Sequence, residues 1–103
     1  MYGLEDLLEV DLHGDGHLET FYNNWFKIIN GLKNQSDVPL ASREHLFLRQ
    51  LKKAPFLKAE FAEYRRAPAG DPRHTYTFLV SCLQSHIEER TRDRNRSSIH
   101  TSL

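Results

Sequence analysis

The chain has 103 residues, 39% hydrophobic and 27% charged, with a formal net charge of zero. That is enough for one small domain with a lean core, helped by six Phe, four Tyr and one Trp, each of which buries a large area. No run of about 18 apolar residues exists for a membrane span, and one cysteine, Cys82, permits neither an internal disulfide nor a zinc knuckle, so an intracellular, cytoplasmic setting is expected.

The chain opens with Met1 followed by "YGLEDLLEVDL", which is acidic and lacks the basic start of a signal peptide. Leu8, Val10 and Leu12 alternate with Glu9 and Asp11 as in a half-buried strand, while Leu4, Leu7 and Leu8 also suit a helical turn. No second strand-like run exists to pair with the first. Residues 1–17 are therefore expected to form an extended or strand-like arm and a turn, with backbone groups free to pair with another molecule.

"DLHGDGH" then places Asp11, His13, Asp15 and His17 at alternate positions. Two glycines in the run disfavour a strand, Glu19 does not complete a calcium loop, and the other histidines are scattered singly. The stretch reads as a turn with a helix cap at Asp15 or Gly16, and no metal is expected. Leu18, Phe21, Trp25, Ile28 and Leu32 follow, spaced three and four apart on one face of a helix. "NGL" closes it, with Gly31 expected in the left-handed conformation and Leu32 folding back.

After a polar loop, 33–39, Ser42 is the expected cap of a second helix with Phe47, Leu48 and Leu51 inward and Arg43, Arg49 and Lys52 in water. Pro55 cannot continue that helix, so a break falls at Ala54 and a third helix runs from Pro55 to about Arg66 on Leu57, Phe61 and Tyr64. "APAGDP" is a turn, and Asp71 or Thr75 caps a fourth helix striped by Tyr76, Leu79, Val80, Leu83 and Ile87. Beyond Ile87 the apolar period stops. Residues 91–103 read as a charged tail, either a solvated helical extension or disordered. The expected fold is all-α, a bundle of about four helices over 18–90, with Leu18, Phe21, Trp25, Ile28, Leu48, Leu51, Phe61, Tyr76, Leu79 and Leu83 as its core.

Chemistry-bearing constellations are sparse. Cys82 lies within the apolar turn Leu79–Leu83, and His86 one turn on lacks an orienting acid. No glycine-rich phosphate loop is present, so neither an enzyme, a cofactor nor a small-molecule substrate is expected. Charge is uneven: residues 1–19 hold six carboxylates and no Lys or Arg, whereas from Arg65 onward seven arginines face four acids. Arg90, Arg92, Arg94 and Arg96 are candidate RNA contacts, although Glu88, Glu89 and Asp93 dilute their field and no aromatics interleave them.

"LETFYNNWFKIINGL", "REHLFLRQLKKAPFLKAEFAEYRR" and "HTYTFLVSCLQSHIEERTRDRNR", with "LHGD" as lead-in, resemble the Gag-like region of copia-type long-terminal-repeat retrotransposons. The pattern covers about Leu8 to Arg96: an aromatic-rich helix centred on Trp25, a helix with Leu48 and Leu51 before a break, and a helix with Tyr76, Phe78, Leu79 and Leu83 ending in charge. Here the break is Ala54-Pro55, where relatives have Leu-Pro, and the zinc knuckle that often follows in such proteins is absent. The resemblance implies a capsid-like helical domain that self-associates to package RNA. Leu8, Val10, Leu12, Leu40 and Leu46, all outside the inward stripes, are the expected self-association residues of a homo-oligomer. A monomeric helical adaptor and a small RNA-binding helical domain are the competing classes, separated from it by concentration-dependent mass and by salt-dependent RNA retention.

Overall fold

A computed structural model describes the backbone of residues 2–13 and 15–102 and the side chains of residues 2–13 and 16–96. It is all-α, with helices α1 (Leu4–Leu8), α2 (Leu18–Asn30), α3 (Leu40–Leu51), α4 (Lys58–Arg66) and α5 (Tyr76–Ser102). Short 3-10 turns lead into α2 at Asp15–His17 and into α4 at Pro55–Leu57, and a third spans Gln35–Asp37. No strand occurs among the described residues, and no helix is long and apolar enough to cross a membrane.

The first part of α5 is the element that the others share: α2, α3 and α4 all pack on it, and α1 packs on α2. Periodicity explains the faces. Leu18, Phe21, Trp25 and Ile28 of α2 are buried, as are Phe47 and Leu51 of α3, Leu57, Phe61 and Tyr64 around α4, and Leu79 and Leu83 of α5. At the centre, the Trp25 ring lies 5.0 Å from that of Phe47 and 5.9 Å from that of Phe21, and Phe47 also meets Tyr76 at 5.5 Å. Tyr76 is half-buried, because its hydroxyl reaches inward to accept a 2.9 Å hydrogen bond from Trp25 Nε1 while part of its ring meets the surface. Leu48 is likewise half-buried, packing against the edge of the core that Phe47 and Leu51 fill.

The helix boundaries follow local chemistry. Thr75, not Asp71, caps α5: its Oγ1 accepts the Phe78 amide at 3.1 Å, while Asp71 accepts the Arg73 amide inside the preceding turn. Helix α3 starts earlier than the Ser42 cap suggests, at Leu40 after Pro39. Arg43 explains how, donating to the Val38 carbonyl at 2.7 Å and the Gln35 carbonyl at 2.8 Å and so tying the loop to the first turn. Past Ile87, α5 continues as helix to Ser102, with the side chains from Thr91 to Arg96 exposed, so the charged tail takes the helical one of its two expected forms.

Two expectations need correction. The N-terminal segment is not an unpaired arm. Tyr2 makes a parallel bridge with Leu32, its amide donating to the Gly31 carbonyl at 2.9 Å and its carbonyl accepting from the Lys33 amide at 3.0 Å. After the turn of α1, Leu12 is buried and its amide donates to Gln50 Oε1 of α3 at 3.1 Å. Of the alternating residues, Leu12 thus finds its partners within the chain, Val10 is half-buried and Leu8 stays exposed. Gly31, in turn, has φ −98° and is not left-handed. Its missing side chain serves a close approach, since a Cβ there would stand 2.5 Å from the Tyr2 ring.

Candidate self-association surface

The five residues expected to mediate association are sorted by packing. Leu12 belongs to the core and offers nothing to a second chain. Leu40 is exposed at the start of α3, apart from the others. Leu8, Val10 and Leu46 come together. They line a cleft of about 190 Å³ between α1 and α3, whose wall also includes Leu7 and Trp25. Leu8 is 54% exposed and Leu4, one turn before it, is 39% exposed. Spacing four apart puts these two on one face of α1. Helix α1 is short, with Leu7 turned into the core, so its remaining leucines have only solvent to face. Leu4 was legible in principle, because it precedes Leu8 by one turn.

The cleft's rim carries both signs. Asp11 accepts from Gln50 Nε2 at 3.2 Å and faces Lys53 Nζ at 3.7 Å, with Arg49 close by on α3. A cleft that sets Leu8, Val10 and Leu46 among polar groups and charges of both signs suits a protein partner better than a polyanion.

The same contacts bear on "DLHGDGH". Asp11 is engaged by α3, and the His13 and His17 rings meet edge to face at 6.4 Å. Gly14 and the side chain of Asp15 lie outside the described residues. Among the described residues no three His, Cys, Asp or Glu side chains gather as a metal site.

A second, open groove of about 580 Å³ runs between α4 and α5, bordered by Phe56, Glu60, Cys82, Ser85, His86 and Glu89. His86 Nε2 lies 3.2 Å from the Phe56 carbonyl and 4.0 Å from Glu60 Oε1. Burial, with Glu60 and Glu63 adding negative potential, pushes the Cys82 thiol up to about 11. At neutral pH it is a protonated thiol and a poor nucleophile. Phe56, 51% exposed, was missed by sequence reasoning, although it falls one position off the inward stripe of Leu57, Phe61 and Tyr64.

The arginines divide as well. The Arg90 guanidinium lies 5.2 Å from the centre of the Phe56 ring, whereas Arg92, Arg94 and Arg96 are exposed along α5. Arg90 and Arg94 share a surface depression with Glu19 and Asp93, so the local field there is mixed, not uniformly basic.

No family model, no curated protein and no solved structure matches the chain.

Proposed function

We propose that this chain is a self-associating structural domain of the Gag-like capsid kind, without catalytic activity, in which contact with RNA is secondary. The observation that carries the reading is the cleft between α1 and α3, where Leu8, Val10 and Leu46 present apolar surface beside a rim of both charges. A small bundle gains from covering such surface with a second copy. The all-helical fold is compatible with the resemblance in sequence. The state of Cys82 and His86 supports a non-enzymatic role, because the Cys82 thiol is held protonated and His86 bonds the Phe56 carbonyl. Mixed charge around Arg90 and Arg94 favours protein over nucleic acid as the principal partner.

Light scattering across a concentration series tests this. Average mass should rise from that of the 12.1 kDa monomer as concentration increases, and a stable contact should bury more than about 1,000 Å² in total. A chain that stays monomeric at several hundred micromolar would reject the capsid reading and favour the monomeric adaptor. RNA retention that falls steeply with salt, without self-association, would favour the RNA-binding domain.

A further inference from the structure

Helix α5 carries a stripe that the fold leaves largely uncovered. Phe78, Cys82, Ser85 and Glu89 are spaced three and four apart and, with Ser81 beside them, border the groove beside α4. At 100° per residue the stripe continues through Arg92 and Arg96. After Phe78 its first half is narrow in side chain, with Ser81, Cys82 and Ser85, and ends in Glu89, while Glu60 of α4 adds a second carboxylate at the groove. Its second half is basic and exposed, on a part of α5 whose described side chains from Thr91 to Arg96 are all exposed. The face of α5, with Glu60 of α4 beside it, thus holds two complementary halves in sequence.

We infer that a second copy of this chain docks antiparallel along α5, laying its Arg92 and Arg96 over the groove between α4 and α5. This rests on the self-association reading and adds a second surface to it. Antiparallel pairing about a two-fold between residues 90 and 91 sets Glu89 opposite Arg92 of the second copy, and the two-fold repeats that pair. The same register puts the second copy's Arg96 opposite Ser85, next to Glu60. Glu60 Oε2 itself is out of reach of an incoming group, so the guanidinium meets the exposed third of the Glu60 side chain at the edge of the groove. Ser81, Cys82 and Ser85 allow two helices to approach closely. Asp93 falls at the edge of the stripe, toward His86, and not on its centre line. Nucleic acid does not suit the groove, since Glu60 and Glu89 would repel phosphate. With the cleft at α1 and α3, each copy then has two separate contact surfaces, so association extends past a dimer into an open array.

Charge reversal with mixing tests the inference. Glu89→Arg and Arg92→Glu each place two like-charge pairs across the two-fold, and each should weaken association roughly tenfold or more. Both positions are exposed, and circular dichroism should show native helicity for both variants. An equimolar mixture of the two variants should restore the native mass, because every cross-pair becomes Arg with Arg's opposite again. Intrachain effects of the substitutions cannot be rescued by mixing. If the single variants associate like the native chain, or if the mixture stays as weak as its components, the α5 contact is overturned while self-association through another face stands. A native chain that never associates overturns both.

Discussion

Trp25 shows how much one side chain holds together. It is 1% exposed, it touches the rings of Phe21 and Phe47, and its indole N–H is satisfied by the Tyr76 hydroxyl. Trp25→Ala removes the largest buried side chain and leaves a cavity where α2, α3 and α5 meet. The expected cost is about 3–5 kcal/mol, measurable by denaturant unfolding. The native protein should show a blue-shifted tryptophan emission, and a solvent-like maximum would contradict its burial. Tyr64 makes a different residue-scale prediction. Its hydroxyl donates to Glu44 Oε1 at 2.7 Å, its ring stacks on His74 at 4.2 Å, and burial together with Glu44 pushes its ionisation up to about 12. The folded state therefore holds this proton more tightly than the unfolded state does. The stabilisation is fully present below about pH 10, the ordinary tyrosine value, and is lost as pH rises through about 12. Tyr64→Phe should be less stable at neutral pH and should lose less stability on going from pH 9 to pH 11 than the native protein does. Equal alkaline slopes in thermal melts would argue against it.

At the scale of elements, the N-terminal helix depends on one distant glycine, Gly31 at the end of α2. Tyr2 bridges Leu32, and its ring occupies the space where a side chain at position 31 would stand. Gly31→Ala should push Tyr2 aside, break the two hydrogen bonds of the bridge and loosen α1 from α2. Hydrogen exchange should then accelerate at the Tyr2 and Lys33 amides while the α3 and α4 amides keep their protection. Unchanged exchange at those two amides would show that the ring simply slides away. The turn before α2 yields a prediction of the opposite kind. With Asp11 engaged by Gln50 and Lys53, "DLHGDGH" offers a metal no assembled ligand set among the described residues. Micromolar zinc or calcium should leave the melting temperature where it is, since tight binding to the folded state would raise it.

For the whole molecule, the decisive property is what its exposed apolar groups do at high concentration. Leu8 and Leu40 are both largely exposed, at 54% and 66%, yet only Leu8 borders the cleft. Leu8→Lys should therefore shift light-scattering mass toward the monomer, and Leu40→Lys should leave it as in the native chain. Both should keep native helicity, since neither side chain is part of the core. Equal effects of the two substitutions would mean that general hydrophobicity, and not this cleft, drives association.

Periodicity by itself was sufficient for the all-α class, for the inward faces of Phe21, Trp25, Phe47, Leu57 and Leu83, and for the break at Ala54-Pro55. Those features are local: a 3.6-residue repeat and a proline without an amide hydrogen act on their own neighbours. Tertiary structure decided the rest. Nothing near Leu12 in the chain says that Gln50 will take its amide, so alternation at Leu8, Val10 and Leu12 looked like a strand in search of a partner. Nor does the "NGL" ending reveal that Gly31 is needed for a tyrosine at position 2, since a left-handed turn and a close approach call for the same residue. The convergence of Leu8, Val10 and Leu46 on one cleft likewise depends on α1 lying beside α3, a contact between segments some forty residues apart. Apolar spacing specifies which face of a helix is buried, but which exposed residues become neighbours is set only when the helices are packed.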